Sequence, residues 1–341
     1  MLRDSLGDIV PESATVIRAT ELQQFLNCPR QWYILSHNGL NLTPVKSSPK
    51  MRLGTVWHKA LQYYYTPEVD DNDRPQMGRD GLEAGFNEDL DNLRMELGDG
   101  VYNPEFMEVM NRDRELLQSL LEGYPQWANY EAQPSDRTLT PLATEQRFLL
   151  PVTTPSGYKS RAFIAAKVDA LMEDNIGNYW IMEHKTRGVS SRVDDPQGLI
   201  LDLQIGLQIL AVKKWLRHVV DNAPPFRGVI YNLTRRQKPS SRVRSPIYGR
   251  HAVVRGATDL AILQHHLYQA YLEMRQVKRD GLKSARYNPQ VWAGGYCTWG
   301  CPALNICEAL TRGDDVDYLL DAEFRKRDKD IWQMLKDELD Q

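Results

Sequence analysis

Two short stretches combine acidic side chains with a lysine in a spacing suited to phosphodiester chemistry. Asp169 closes the run AAKVD, and thirteen residues separate it from Glu183, which opens the triplet Glu183-His184-Lys185. Glu183 and Lys185 lie two positions apart in a segment that predicts a strand, so both side chains point to one face of a sheet. Two carboxylates and an ammonium on one face can bind a hard divalent ion and stabilise charge on a phosphate.

A short E-x-K pattern is also typical of a surface ion pair, and the pattern alone does not separate the two interpretations. The flanking residues favour the functional one. The apolar run YWIM precedes Glu183, and a long apolar segment follows the triplet. A strand on an exposed edge would more often alternate polar and apolar residues.

The second set of residues that could do chemistry consists of the cysteines. Cys297, Cys301 and Cys307 lie close together, and Cys28 lies 269 positions before Cys297. Thiolates select zinc or iron–sulfur centres over hard ions. Structural zinc sites more often use two close cysteine pairs, whereas a one-plus-three arrangement suits an iron–sulfur cluster. Both metals remain open on these grounds.

The elements that must position these residues follow from periodicity and turn signals. Helices are predicted at 20–36, 50–65, 79–98, 104–130, 198–220, 256–283 and 315–340. Strands are predicted at 143–152, 161–173, 179–185 and 227–234, with a basic loop at 235–250 and an irregular segment at 284–307. Helices followed by β-β-β-α-β predict a mixed α/β fold.

The chain as a whole has 341 residues, 42% of them hydrophobic, and a net charge of −3. No internal repeat or long linker divides it. We therefore expect a single unit (1–341) with a helical part (18–140), a catalytic core (141–255) and C-terminal helices with a cluster loop (256–341). No apolar run reaches the roughly 18 residues of a membrane span, and no secretion signal is evident, so a cytoplasmic location is expected.

The run from ATEQRF to EHKTRG resembles the core of RecB-type PD-(D/E)XK nucleases. The matching positions are Glu145, Asp169, Glu183, Lys185 and Thr186. Ala166 stands where the family has a glycine, and Arg187 separates the threonine from Gly188. The run GTVWHKAL resembles the helix that donates a histidine, His58, to the metal. The run LQIGLQIL matches the Q-x-x-x-Y pattern at Gln204, with Gln208 in the tyrosine position.

This resemblance implies a restriction-endonuclease-like core sheet flanked by helices. It implies Mg²⁺ or Mn²⁺ held by His58, Asp169, Glu183 and the carbonyl of His184. It further implies that Lys185 positions the attacking water and that Gln204 supports the lysine or the substrate.

The runs FLNCPRQWY and YCTWGCPALNIC resemble the iron–sulfur branch of these nucleases, which includes the AddB nuclease domain, CRISPR-associated RecB-like exonucleases and phage homologues. The resemblance extends from about residue 18 to residue 310 and implies a structural 4Fe–4S cluster on Cys28, Cys297, Cys301 and Cys307.

The expected function is a DNA exonuclease that acts on ends or single strands in recombination, repair or phage DNA processing. The alternative is a non-cleaving DNA-binding subunit of a recombination or adaptation complex, and a third class is a zinc-stabilised scaffold. Arg235, Arg236 and Lys238 are candidate phosphate contacts, although a solvated basic loop is equally consistent with them. The sequence has no G-x-x-x-x-G-K-(S/T) loop, so unwinding would need a helicase or recombination partner. An oligomer is also compatible with the resemblance.

Overall fold

The fold is a mixed α/β arrangement. The computed structural model describes residues 2–45, 52–97, 104–189, 193–194, 198–239, 246–288, 295–328 and 334–335. The helices are α1 (Ala19–Asn27), α2 (Pro29–Leu35), α3 (Arg52–Tyr64), α4 (Arg74–Leu97), α5 (Pro104–Tyr130), α6 (Leu203–Val219), α7 (Ala257–Asp280), α8 (Tyr296–Trp299), α9 (Leu304–Arg312) and α10 (Asp317–Glu323). The strands are β1 (Thr15–Arg18), β2 (Leu42–Pro44), β3 (Leu139–Thr153), β4 (Lys159–Asp174), β5 (Tyr179–Arg187), β6 (Phe226–Arg235), β7 (Tyr248–Val253) and β8 (Phe324–Lys326).

The main sheet has the order β1-β4-β5-β6-β7, and β3 also pairs with β4. The neighbours β3–β4, β4–β5 and β6–β7 are antiparallel, whereas β1–β4 and β5–β6 are parallel. The parallel pair β5–β6 requires a crossover, and α6 supplies it. The connection places the first turn of α6 next to the C-terminal end of β5, where Lys185 lies.

Helices cover both faces of the central strands. On one face, Met182 and Ile230 join the core formed with α3, α4 and α5. On the other face, Ile181 and Val229 join the core formed with α6. Burial on both faces explains why these strands read as continuous apolar runs, since neither face has to be polar.

Several boundaries differ from the sequence-based prediction. The predicted helix 20–36 is two helices, because Cys28 between them is extended at φ −159° and ψ 104°. Pro29 follows, and a residue before proline is disfavoured in helical conformation. The predicted segment 284–307 contains the short helix α8 and the start of α9.

The predicted C-terminal helix 315–340 is helical only in part of the residues that the structure describes, namely at Asp317–Glu323 and at 334–335. Helix α10 ends at Glu323, and β8 follows it and pairs antiparallel with β2. Strand β1 was not predicted, and β7 begins inside the predicted basic loop. Of that loop, Arg242 and Arg244 lie outside the described residues. Over the described part of the chain, each helix is too short or too polar to cross a membrane.

Candidate active site

An irregularity in β4 sets the position of Asp169. Val168 packs beneath α6, whereas Ala170, two residues on, packs on the opposite face of the sheet. Across the ladder, Gln146 pairs with Val168 and Thr144 with Ala170, and between them Glu145 has φ 53°. Such interruptions reorient a side chain in the middle of a strand. Asp169 therefore lies at the point in β4 where the side chains stop alternating regularly between the two faces of the sheet.

The carboxylate of Asp169 is buried and makes two polar contacts. The backbone N–H of His184 donates to Oδ2 at 2.8 Å, and Nδ1 of His58 on α3 lies 3.3 Å from the same oxygen. Burial opposes ionisation of Asp169, but the charge of His58 and these hydrogen bonds outweigh it and hold the pKa well below its usual range. Burial likewise opposes protonation of His58, yet the neighbouring Asp169 raises the pKa of that imidazole.

The carboxylate of Glu183 is 1% exposed, and this chain's own donors contact both of its oxygens. Lys185 Nζ and Gln204 Nε2 each lie 2.7 Å from Oε1, and Gln208 Nε2 donates to Oε2 at 2.6 Å. Burial and the nearby charge of Asp169 raise the pKa of Glu183 to about 7. Lys185 also donates to Gln204 Oε1 at 2.9 Å.

The start of α6 is fixed by an N-cap. The Oδ1 of Asp202 accepts the backbone N–H of Gln204 at 2.8 Å, and its Oδ2 accepts the hydroxyl of Tyr231 at 2.7 Å. Gln204 and Gln208 lie four residues apart, so they share the helix face that meets Glu183. Gln208 occupies the position where the resembled pattern has tyrosine, and its contact with Glu183 could not be read from that pattern.

The side chain of His184 points away from Glu183, into the core beside α3. Its ring stacks on Tyr65 with centroids 5.3 Å apart and an interplanar angle of 16°. Asn232 Nδ2 donates to its Nδ1 at 2.9 Å. Burial lowers the pKa of His184 to about 3, so the imidazole is neutral near pH 7.

A buried polar network continues behind His184, and sequence reasoning missed it. Asn232 donates to the hydroxyl of Tyr124 at 2.6 Å, and that hydroxyl lies 2.7 Å from the hydroxyl of Tyr65. Arg250 on β7 donates to Asp136 at 2.9 Å and to Tyr65 at 3.1 Å. These residues come from separate elements, so no local spacing in the sequence indicates them. These contacts fix the side chain of His184, and the backbone N–H of the same residue donates to Asp169.

The structure brings together the residues predicted to form the site: His58, Asp169, Glu183, His184, Lys185 and Gln204. Within the described ranges, however, no group of three or more His, Cys, Asp or Glu side chains is arranged to hold a metal ion. The carboxylates instead contact His58, Lys185 and the two glutamines of α6. The two carboxylates that could bind a metal ion therefore contact hydrogen-bond donors of the same chain in this structure.

All four cysteines line one cavity of about 350 Å³. Cys28 lies between α1 and α2, Cys297 in α8, Cys301 just after it and Cys307 in α9. The N-terminal and C-terminal parts of the chain thus meet at these thiols. A site that uses all four cysteines requires this, because one cysteine is N-terminal and three are C-terminal. Burial raises the pKa of the Cys301 thiol to about 11, and burial also raises that of Cys307.

The guanidinium of Arg30 lies beside this cavity. It lowers the pKa of Cys307 against the effect of burial, donates through Nε to the carbonyl of Ala285 at 3.2 Å and stacks 4.3 Å from the ring centroid of Tyr287. Its Nη1 is buried, with no hydrogen-bond partner in the part of the chain that the structure describes. A cation therefore lies close to Cys307.

The candidate phosphate contacts do not form one exposed surface. Arg235 is buried at the end of β6, which corrects its assignment to an exposed loop. The backbone N–H of Arg236 donates to the carbonyl of Arg187 at 2.9 Å, and Lys238 is exposed, 3.6 Å from Glu115. Arg236 and Lys238 remain candidates for contact with nucleic acid.

The sheet order, the crossover helix and the Asp–Glu–Lys set define a restriction-endonuclease-like core. The sequence model of the PD-(D/E)XK nuclease superfamily matches residues 18–308, so this chain belongs to that superfamily. A solved structure titled "Crystal structure of SSO0001" is similar over 88% of this chain and 89% of that chain, at 14% identity and a TM-score of 0.32. No curated protein sequence matches the chain.

Proposed function

We propose that this chain is a metal-dependent deoxyribonuclease, and specifically an exonuclease that acts on DNA ends or single strands. The observation that carries the proposal is the position of Lys185, whose ammonium contacts Glu183 and Gln204 beside the Asp169–His58 pair. Membership of a superfamily of nucleases supports hydrolysis of a phosphodiester bond.

The donor chemistry fits Mg²⁺ or Mn²⁺. Asp169 and Glu183 offer carboxylate oxygens, the ligands that hard divalent ions prefer, and the His184 carbonyl and His58 would complete the set. When bound, such an ion would lower the pKa of a water and neutralise charge on the phosphate.

The residues of the chain supply the remaining chemistry. Burial opposes protonation of Lys185, but Glu183 raises the pKa of the ammonium, so it stays charged near pH 7. Lys185 is therefore suited to orient a water or to stabilise negative charge, and not to remove a proton. Gln204 bridges Lys185 and Glu183 and so fixes the direction of the ammonium.

For the cysteine cavity we propose a 4Fe–4S cluster with a structural role. The four thiols line one cavity, and the one-plus-three spacing of the cysteines suits a 4Fe–4S cluster better than the paired spacing of structural zinc sites does. Among the residues that the structure describes, no three His, Cys, Asp or Glu side chains are gathered for a metal ion.

The proposed unit comprises the whole chain. The helical part supplies Cys28 and His58, the core supplies the carboxylates and lysine, and the C-terminal part supplies the other cysteines. A helicase or recombination partner would deliver unwound DNA. The non-cleaving alternative is less favoured because Asp169, Glu183 and Lys185 are all present.

The decisive experiment compares digestion of end-labelled linear and circular DNA, single- and double-stranded, in Mg²⁺, Mn²⁺ and chelator. Linear single strands should be digested from an end in metal, and circles should survive. Asp169→Asn and Lys185→Met should be inactive, with Glu88→Gln on α4 as the matched surface control. Binding without cleavage in every metal would support the alternative, and cutting of circles would refute the exonuclease mode.

The cluster proposal is tested separately by the metal and sulfide content of anaerobically purified protein and by its visible absorption. Iron and sulfide in equal amounts, absent from Cys28→Ser, are expected. Zinc without sulfide would favour the scaffold class for this site and would leave the nuclease proposal untouched.

A further inference from the structure

A second cavity of about 350 Å³ lies away from the proposed catalytic residues and the cysteines. The C-terminal half of α6, the first half of α7 and strands β3 and β4 form its walls. Its floor is apolar and includes Leu150, Ile164, Leu210 and Leu260. Four basic side chains of α6 line the same cavity: Lys213, Lys214, Arg217 and His218. We call it the basic cavity.

The charges around the basic cavity are unbalanced. None of its lining residues is acidic, and in the described part of the chain no carboxylate forms an ion pair with any of the four basic side chains. Lys213 and Arg217 lie four residues apart, a spacing at which like charges destabilise a helix by about 0.2–0.5 kcal/mol. The helix dipole favours cations in the last turn of α6, but Lys213 and Lys214 precede that turn.

The ammonium of Lys214 is held at the wall of the cavity. Its ammonium donates to the carbonyl of Pro151 at 2.6 Å, which holds the charge against the wall formed by β3. Burial and the nearby Lys159 lower its pKa, and Asp4, which does not line the cavity, opposes this effect. A cavity lined by basic and by no acidic side chains, with one ammonium held at its wall, is suited to an anionic ligand.

Two elements give the separation between the basic cavity and the proposed active site. Along β4, Ile164 precedes Asp169 by five residues, a distance of about 16 Å in a strand. Along α6, Lys213 follows Gln204 by nine residues, a distance of about 14 Å in a helix. The two distances agree, and the separation is longer than one nucleotide, so a strand that reaches both places must contain several nucleotides.

We propose that the basic cavity binds one nucleotide of a single DNA strand whose other part lies in the active site. The phosphate would meet Lys213 and Arg217, and the base would lie on the apolar floor beside the polar groups of Thr153 and Gln264. A concave cavity of this size admits a splayed nucleotide but not the body of a duplex. This inference rests on the proposed function for its ligand, DNA, and names the single strand as the substrate class.

The test measures binding in chelator, so that it does not depend on cleavage. A labelled dinucleotide, too short to reach both places, and a series of longer single strands are titrated by fluorescence anisotropy at several salt concentrations. Lys213→Glu/Arg217→Glu should weaken binding of the long strand about tenfold or more and leave the short strand unchanged. The salt slope should fall by about 0.7 for each phosphate that the variant no longer neutralises.

A second variant, Ala261→Trp, fills the cavity without changing its charge and should weaken the long strand as well. Lys278→Glu, at the exposed far end of α7, is the matched charge control and should bind like the wild type. Thermal unfolding checks that each variant is folded.

Three results would overturn the proposal. One is wild-type binding by the cavity variants, and another is an equal effect from Lys278→Glu. The third is tight binding of deoxynucleoside monophosphate at the cavity with long-strand binding unchanged, which would make the occupant a free nucleotide. Cavity-dependent binding in a protein that cleaves nothing in Mn²⁺ would refute the proposed function while leaving this inference intact.

Discussion

Glu183 provides a quantitative test of the site through the stability of the metal-free protein. Its pKa is raised from the ordinary 4.5 to about 7, so the folded state holds this proton more tightly than the unfolded chain does. The stability that the proton contributes is present below pH 4.5 and is lost as the pH rises through about 7. Glu183→Gln cannot titrate, and its stability should lack this component.

The magnitude follows from the two pKa values. At about 1.4 kcal/mol for each pH unit, their separation corresponds to about 3 kcal/mol. The wild type should therefore lose about 3 kcal/mol of unfolding free energy relative to Glu183→Gln between pH 4.5 and pH 8. His58, whose pKa is also raised, contributes a loss of the same sign above its ordinary 6.5. That loss occurs in both proteins, so the comparison largely removes it.

The assay is urea unfolding in chelator, followed by tryptophan fluorescence across this pH range. Glu88→Gln is the control, because the Glu88 side chain is 61% exposed and solvent screens its contact with Lys59. Its profile should run parallel to that of the wild type. Parallel profiles for the wild type and Glu183→Gln would refute the reasoning, because they would mean that burial and Asp169 do not raise the proton affinity of Glu183.

Three further predictions follow from the same contacts. Lys185→Met should lower Mn²⁺-dependent cleavage of labelled DNA by about 10²–10⁴-fold while circular dichroism shows a folded protein, and Asp169→Asn should behave alike. Arg250→Met should cost about 3–5 kcal/mol in urea unfolding because it leaves Asp136 buried without its cation; an additional Asp136→Leu that recovers none of this loss would contradict the assignment. Cys28→Ser should lower both iron content and thermal stability, and retention of both would exclude it as a ligand.

The relation between the acidic residues and the lysine could be predicted because it is local. A short turn joins β4 and β5, so Asp169 and Glu183 fall on neighbouring antiparallel strands, and Glu183 and Lys185 share a face by the two-residue period of a strand. The histidine of α3 was located only through the resemblance, since nothing near His58 in the sequence indicates a partner in β4.

The remaining features depend on contacts between distant segments. Asn232 falls in a predicted strand and Arg250 in the predicted basic loop, and only the pairing of β6 and β7 brings them behind His184. Strand β8 is three residues long and is specified by its pairing with β2, which outweighs the helical pattern of the surrounding sequence. The break between α1 and α2 at Cys28, in contrast, has a local cause in the sequence, because Pro29 disfavours a helical conformation of the residue before it. The apolar periodicity of residues 20–36 nevertheless predicts one continuous helix.

The surroundings of the two carboxylates give them different properties. An imidazole and a backbone N–H hold Asp169 ionised, with a pKa below its usual range. Burial and that same negative charge raise the pKa of Glu183 to about 7. Groups whose environments move their pKa values apart in this way take different roles. Asp169 is an anion over the whole working pH range and fixes where a cation would bind, whereas Glu183 exchanges a proton near neutrality. The pH dependence of ion binding should therefore come from Glu183, and Gln208, which contacts it from α6, is placed to adjust that dependence.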